Sequence, residues 1–189
     1  MPDPAEIVLV RHGATKWSAS LKHTGRTDVL LSDEGRAEAQ EICERLEAWE
    51  FTRVLCSPLQ RARETAAICG FDDRVEVDAG IREWDYGDYE GRTTAEVRER
   101  ISGWTVWTHE ITNGESVEEV GARADAAIER LSAVKGPVAL FSHGHFLRIF
   151  TARWLGLPPA DGRLFKLRTS AISVLGHERE TRVIDRWNA

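Results

Sequence analysis

The sequence has few cysteines, no long apolar run and no excess of basic residues. Its three cysteines, Cys43, Cys56 and Cys69, are odd in number and form no C-x-x-C pair, which favours reduced thiols over a disulfide framework. No apolar stretch approaches the length of a membrane span, and the first residues lack the pattern of a signal peptide. These absences predict a cytoplasmic globular protein with no membrane partner.

The net charge of -6 argues against a nucleic-acid partner or an anionic membrane, because both require a broad basic face. A small anionic substrate is not excluded, since it responds to the local field of a cleft. G-x-S-x-G and H-E-x-x-H are both absent, which removes the commonest signatures of serine hydrolases and metalloproteases. The 189 residues suit a single domain spanning residues 1–189.

Strand and helix patterns alternate through most of the chain. This alternation predicts an α/β fold with a mostly parallel central sheet and helices on both faces. Strands are predicted at 7–10, 54–56 and 138–141, with closing strands, for which an antiparallel arrangement is open, near 171–175 and 182–184; helices are predicted at 33–49, 58–69, 116–134 and 146–155.

The segment 82–116 departs from this alternation. It is rich in Gly, Trp, Asp and Glu, and we expect it to be an insertion that lies over one end of the sheet. Its three tryptophans, Trp84, Trp104 and Trp107, suit either core packing or the wall of a substrate pocket. The sequence leaves these two roles open.

Two of the predicted strands end in a histidine followed by a glycine. Arg11, His12 and Gly13 follow the first apolar run, and His143 follows the apolar run at 138–141. Arg61 opens the helix after a third strand. In an open parallel sheet these ends share one edge, which is where ligands bind. Guanidinium groups and helix N-termini both favour phosphoryl oxygens, so phosphate is the ligand that this edge predicts.

Other interpretations of the same residues fit less well. A single buried His is more often structural than catalytic, but here it has two arginines and a second His as partners. The pair His143 and His145 resembles a metal-binding H-x-H, yet cations surround it and no cluster of carboxylates accompanies it. A cysteine-phosphatase loop needs five residues between Cys and Arg, whereas four separate Cys56 from Arg61.

Six short segments together resemble the histidine phosphatase superfamily, in its phosphoglycerate-mutase-like group. They cover nearly the whole chain in the order of the family: 9–13 (LVRHG), 24–28 with 31–35 (TGRTD, LSDEG), 57–66 (SPLQRARETA), 83–91 (EWDYGDYEG), 113–116 (NGES) and 142–145 (SHGH). The resemblance implies a three-layer α/β/α sandwich around the mostly parallel sheet. The segments look closest to broad-specificity acid phosphatases and sugar-bisphosphate phosphatases of bacterial type.

The resemblance also implies catalytic roles for five residues. His12 would attack phosphorus and carry a phosphohistidine intermediate. Arg11, Arg61 and an at least partly protonated His143 would hold the equatorial phosphoryl oxygens. Glu83 would protonate the leaving oxygen and then take a proton from the attacking water.

Phosphate-binding roles follow for Ser18, Thr24, Gly25 and Gly144. Ser18 stands where the family usually has Asn, so its hydroxyl would supply one hydrogen bond from a shorter side chain. The resemblance implies no metal and no cofactor, because arginine and imidazole groups supply the positive charge.

The expected activity is hydrolysis of small phosphorylated metabolites by a metal-independent phosphomonoesterase. Two related activities stay open: mutase-type phosphoryl transfer on phosphoglycerate, and a phosphatase specific for sugar bisphosphates. A non-catalytic binder of phosphorylated ligands is a remote alternative. A homodimer is possible.

Overall fold

The computed structural model describes residues 6–189, and a six-stranded sheet runs through its centre. The strands are β1 (Ile7–Arg11), β2 (Arg53–Cys56), β3 (Val75–Val77), β4 (Val138–Ser142), β5 (Ile172–Glu178) and β6 (Thr181–Arg186). Their order is β3-β2-β4-β1-β5-β6; the first four are parallel to one another, β5 pairs antiparallel with β1, and β6 pairs antiparallel with β5. The predicted mostly parallel sheet is therefore confirmed. β3 is absent from the predicted strands, because it has only three residues and two of them are exposed.

Within residues 6–189, six α-helices connect or cover these strands. They are α1 (Lys16–Ala19), α2 (Asp33–Leu46), α3 (Gln60–Ile68), α4 (Thr94–Arg98), α5 (Val117–Ser132) and α6 (Gly144–Trp154). The predicted capping box of Ser116 and Glu119 begins α5. α6 begins two residues before its predicted start, because His143 keeps an extended backbone as N-cap and Gly144 is already helical. No helix in residues 6–189 is long and apolar enough to cross a membrane.

The sheet is buried on both faces, which makes the molecule three layers thick. Ile7 and Leu9 of β1 belong to one apolar core, and Val8 and Val10 belong to the other. Helices α5 and α6 pack on the first face, and α2 and α3 pack on the second. Burial of each such side chain stabilises the fold by about 1.5–3 kcal/mol. The alternation explains why β1 reads as a continuous apolar run.

The segment 82–116 packs against the first face of the sheet. Trp84, Tyr86 and Trp104 are almost fully buried in the same core as α5 and α6. Arg123 of α5 holds the segment at both ends. Its guanidinium donates to both oxygens of Glu115 and to backbone carbonyls at residues 80 and 82. The apolar side of the segment is thus continuous with the core.

A disulfide between Cys43 and Cys69 joins α2 to the end of α3. The expectation of reduced thiols is therefore wrong for these two residues. They are 26 positions apart in sequence, but the packing of α2 on α3 brings their Cα atoms to 4.8 Å, within the range that a disulfide spans. Cys56 remains a free, buried thiol, and burial raises its pKa to about 12.

We expect the disulfide to stabilise the fold, because it restricts the unfolded chain. For a closed loop of this length the chain-entropy model gives about 3.5 kcal/mol. The double variant Cys43→Ala/Cys69→Ala should lose free energy of unfolding of that order in urea titrations, and reduction of the wild type should have the same effect. Cys56→Ser is the control that leaves the response to reductant unchanged. A wild type that is equally stable with and without reductant would contradict the expectation.

Candidate active site

The candidate residues lie at the carboxyl ends of three neighbouring parallel strands. β4 lies between β1 and β2, and its register places Arg11 opposite Ser142. The backbone N–H of His12 donates to the Ser142 carbonyl at 3.1 Å, and that of Ser57 donates to the Phe141 carbonyl at 3.0 Å. These bonds extend the hydrogen bonding between the strands beyond the last paired residues of β1 and β2. The structure therefore brings the three predicted strand ends together at one edge.

The imidazole of His12 is buried and held in one tautomer. Its Nδ1 lies 2.7 Å from the carbonyl oxygen of Gly13, which can only accept, so Nδ1 carries the proton and Nε2 keeps its lone pair. Burial, with the nearby charges of Arg61 and Arg11, lowers the pKa of His12 well below its ordinary value. Glycine is required at 13, because a Cβ there would collide with the backbone of Gly35. The result is a neutral imidazole with a free ring nitrogen.

His143 is also neutral in this arrangement. Arg61 Nε donates to His143 Nδ1 at 3.2 Å, so Nε2 carries the proton and donates to Ser57 Oγ at 2.7 Å. Burial and then the charge of Arg61 lower the pKa of His143 well below its ordinary value. This differs from the expectation of a partly protonated His143, because the cations that would gather phosphate oppose a further positive charge. The rings of His12 and His143 have centroids 5.1 Å apart.

Arg61 lies behind this pair and is fully buried. Besides its bond to His143, its guanidinium donates to the backbone carbonyls of Thr24, Gly25 and Thr27, each at 3.0 Å. Arg61 therefore ties the 24–27 loop to the strand ends. A side chain at Gly25 would collide with Glu90 and with the carbonyl of Trp84, so only glycine fits at that position of the loop.

Arg11 presents an unsatisfied donor. Its Nη1 donates to the Leu167 carbonyl at 2.6 Å. Its Nε is buried and has no hydrogen-bond partner among the residues that the structure describes. The guanidinium lies against Gly144, where a Cβ would be 3.2 Å from Arg11 Cζ. A buried cationic donor without an acceptor is unfavourable unless an anion binds it. Because Gly144, the first residue of α6, has no side chain, the Arg11 guanidinium can lie against the start of that helix.

Glu83 accepts three backbone hydrogen bonds. Its Oε1 accepts from Trp84 and Phe146, both at 2.9 Å, and its Oε2 accepts from His145 at 3.1 Å. The last two donors lie in the first turn of α6, where N–H groups have no partner within the helix. Glu83 is buried, 6% exposed, and its carboxylate is fixed at the entrance of α6.

A cavity of about 1110 Å³ opens over the strand ends. Six of the nine predicted site residues line it: Arg11, His12, Ser18, Thr24, Glu83 and Gly144. Gly25, Arg61 and His143 do not line it and form the layer behind. Ser18 lines the cavity, but its hydroxyl accepts from the N–H of Thr15 and donates to the Thr15 carbonyl within the capping box of α1. The predicted hydrogen bond from Ser18 to phosphate therefore competes with the hydrogen bonds between Ser18 and Thr15.

The sequence analysis assigned no binding role to several other residues that line the cavity, among them His23, Tyr86, His145, Arg148 and Leu167. The Tyr86 hydroxyl is hydrogen-bonded to His145 Nδ1. Three of these had a sequence signal: Tyr86 and His145 stand in the segments 83–91 and 142–145, and Arg148 lies four residues after Gly144 on the same face of α6.

The three tryptophans of the 82–116 segment divide between the two roles that the sequence left open. Trp84 and Trp104 are fully buried in the core, whereas Trp107 is half-buried and lines the cavity.

Comparison with known proteins agrees with this arrangement. Residues 7–189 match the family described as the histidine phosphatase superfamily, branch 1. An acid phosphatase of Mycobacterium tuberculosis is 42% identical over 182 residues, which are 93% of this chain and 88% of the relative. Sedoheptulose 1,7-bisphosphatase of Saccharomyces cerevisiae is 34% identical over 79% of this chain and 67% of its own.

Solved structures of similar proteins have the same fold. A solved structure of an open reading frame product from Mycobacterium tuberculosis superimposes with a TM-score of 0.90, at 40% identity and over 97% of each chain. The sheet order, the strand-end residues and these similarities lead to one conclusion. The chain belongs to the histidine phosphatase superfamily and is a phosphatase of small phosphorylated substrates.

Proposed function

We propose that the protein hydrolyses phosphomonoesters in the cavity over the strand ends, with His12 as the nucleophile. The observation that carries this proposal is the state of His12. It is neutral, its Nδ1 proton is fixed on the Gly13 carbonyl, and its free Nε2 lies in a cavity beside the unsatisfied donor of Arg11. An unprotonated nitrogen next to a fixed cation is what attack on a phosphate ester requires.

In the first step the Nε2 lone pair forms a bond to phosphorus as the bond to the leaving oxygen breaks. Arg11 binds a non-bridging oxygen through the Nε that has no other partner. Gly144, the first residue of α6, lines the same cavity, whereas the N–H groups of 145 and 146 already donate to Glu83. The transferred group becomes a phosphohistidine on His12, and the leaving oxygen departs with a proton.

Glu83 is the residue that we propose for the proton transfers. Its two oxygens accept backbone hydrogen bonds, so in the free protein it is an acceptor. We infer that the proton it passes to the leaving oxygen enters with the monoanionic form of the ester. In the second step Glu83 takes a proton from water as that water attacks phosphorus; the bond between phosphorus and His12 Nε2 breaks, its electron pair returns to the imidazole, and inorganic phosphate leaves.

Arg61 and His143 support the phosphoryl group from behind His12. Because Arg61 holds the ring at Nδ1, we expect the Nε2–H of His143 to be shared between Ser57 and a phosphoryl oxygen. Arg61 also fixes the carbonyls of Thr24 and Gly25, so the loop that covers the phosphate stays in one position.

A homodimer remains a prediction, and sedimentation velocity measures the oligomeric state directly. A cytoplasmic location also remains a prediction. The disulfide Cys43–Cys69 argues against it, because disulfides persist mainly in oxidising compartments, and cell fractionation with antibody detection measures the location.

Replacing the nucleophile should abolish turnover. His12→Ala should lower kcat/KM for aryl phosphates by at least about 10³-fold, since covalent catalysis is lost while binding groups remain. A denaturing quench of the wild type at alkaline pH with labelled substrate should trap phosphate on His12 in a bond that is stable in alkali and labile in acid. His177→Ala, at a histidine that packs on Trp154 outside the site, should behave as wild type. A phosphoprotein that still forms in His12→Ala would refute the assignment.

The role of Glu83 predicts a dependence on the leaving group. Glu83→Gln should slow hydrolysis of alkyl phosphates by about 10²–10⁴-fold, because an alkoxide needs a proton to depart. With 4-nitrophenyl phosphate, whose leaving group is stable as an anion, the loss should be only a few-fold. Glu99→Gln is the matched control, a second carboxylate on the cavity wall. Equal losses on both substrates would assign the acid role to another residue.

The lowered pKa of His12 predicts activity in acid. An ordinary His has a pKa of 6.5 and becomes protonated below it, but here the imidazole stays neutral to lower pH. Between pH 7.5 and 5.5, kcat/KM should therefore hold or rise, as the monoanionic substrate becomes more abundant. Initial rates over this range, analysed with the measured ionisation of the substrate, test the sign. A fall centred near pH 6.5 would mean that His12 protonates there.

A further inference from the structure

The backbone polar groups of the two residues after His12 all have partners. The N–H of Gly13 donates to Thr65 Oγ1 at 3.1 Å, and its carbonyl accepts from His12 Nδ1 at 2.7 Å. The N–H of Ala14 donates to Glu38 Oε2 at 3.0 Å, and its carbonyl accepts from the N–H of the N-cap residue of α2 at 2.9 Å. The loop after β1 is therefore held from both α2 and α3, and one of the groups that hold it is a carboxylate.

Glu38 and His12 bind opposite ends of one peptide group. The carbonyl of Gly13 and the N–H of Ala14 belong to the same planar unit. The hydrogen bonds therefore form a chain that runs from the Glu38 carboxylate through this peptide to the imidazole. A charged acceptor on the N–H polarises the peptide, and hydrogen bonds in such a chain strengthen one another. Glu38 thus makes the Gly13 carbonyl a better acceptor for the Nδ1 proton.

The position of Glu38 follows from the packing of α2 against this loop. Gly35 lies three residues earlier on the same face of the helix, and a Cβ there would collide with the backbone of Ala14. Because Gly35 has no side chain, α2 lies close enough for Glu38 to reach the Ala14 N–H. Within residues 6–189 Glu38 is half-buried, is in no ion pair and makes this one side-chain hydrogen bond. The structure therefore shows its carboxylate on the peptide and not on a cation.

We propose that Glu38 is a positioning residue for His12. Its carboxylate holds the 13–14 peptide with the carbonyl toward His12, so that Nδ1 keeps the proton and Nε2 stays free to attack phosphorus. The tautomer of a neutral His is set by the hydrogen bond of its other nitrogen, and here that bond depends on a peptide that Glu38 fixes. The inference rests on the proposed phosphomonoesterase activity and adds to it a residue outside the cavity wall.

Ring-nitrogen NMR of protein that carries isotope-labelled histidine measures the tautomer directly. In the wild type at neutral pH, His12 should show a protonated Nδ1 and an unprotonated Nε2, and the spectrum of His12→Ala identifies its signals. His143 has the opposite tautomer and is the internal reference. Glu38→Ala should move both His12 nitrogens toward intermediate shifts, because the two tautomers then interconvert. Glu38→Gln should keep the wild-type pattern, because its amide oxygen can still accept from the Ala14 N–H.

Single-turnover kinetics connect the tautomer to the reaction. In Glu38→Ala the rate of phosphohistidine formation should fall by about 10- to 100-fold, the range for partners that orient metal-bound histidines. In Glu38→Gln it should fall by less than about five-fold, because an acceptor remains and only its charge is lost. Glu41→Ala, at an exposed carboxylate of the same helix, is the matched control and should equal the wild type in both measurements. Melting temperatures check that each variant folds.

The two proposals fail in different ways. If the wild type forms no phosphohistidine and hydrolyses no phosphate ester, the proposed function is refuted, and the nitrogen spectra still test what Glu38 does to His12. If Glu38→Ala keeps the wild-type spectrum and rate, the positioning role is refuted and the phosphatase stands.

A slower Glu38→Ala with an unchanged His12 spectrum also refutes the positioning role, because that is the behaviour of a purely structural contact. A shifted spectrum with an unchanged rate refutes it as well. Should Glu38→Ala not fold, Glu38→Leu takes its place, since it keeps apolar packing without an acceptor. A wild type whose His12 carries its proton on Nε2 refutes the role without any variant.

Discussion

The parallel pairing of β1 with β4 is the constraint on which the rest of the site depends. It aligns Arg11 with Ser142, so the two residues that follow, His12 and His143, emerge side by side at one edge of the sheet. Both strands are buried on both faces, and a one-residue slip would turn every side chain of β1 to the opposite core. The apolar packing thus fixes the register, and the register fixes the distance between the two imidazoles. The geometry of the candidate site is thus a consequence of core packing.

The second organising feature is a set of buried positive charges held without carboxylate partners. Burial disfavours the charged forms, and it lowers the pKa of Arg11 and of Arg61. Backbone carbonyls hold Arg61, but Arg11 keeps one buried donor free. The same cations keep His12 and His143 neutral. One arrangement therefore accounts both for the unsatisfied donor of Arg11 and for the neutral state of His12, since each follows from positive charge in a place shielded from water.

Most of the fold and much of the site could be predicted, because they depend on local patterns. Apolar runs located β1 and β4, and the capping box of Ser116 located α5. The strand-end positions of His12 and His143 followed from topology. What could not be predicted depends on contacts between distant residues. The disulfide is set by how α2 packs on α3, and the neutral state of His143 is set by a bond from Arg61 that spans 82 positions. The short edge strand β3 carries too little apolar pattern to be recognised.

The role of the segment 82–116 could be predicted only in part, because its residues divide between the core and the cavity. On one side Trp84 and Trp104 are core residues, and on the other Trp107 and Glu83 face the cavity. A sequence pattern reports burial and does not report which buried residues also border a ligand. The link between the two sides is the start of α6, whose N–H groups at 145 and 146 donate to Glu83. Phe146 donates to Glu83 through its backbone and packs in the same core as Trp84 through its side chain. The position of the Glu83 carboxylate at the cavity therefore depends on the packing of α6 in the core.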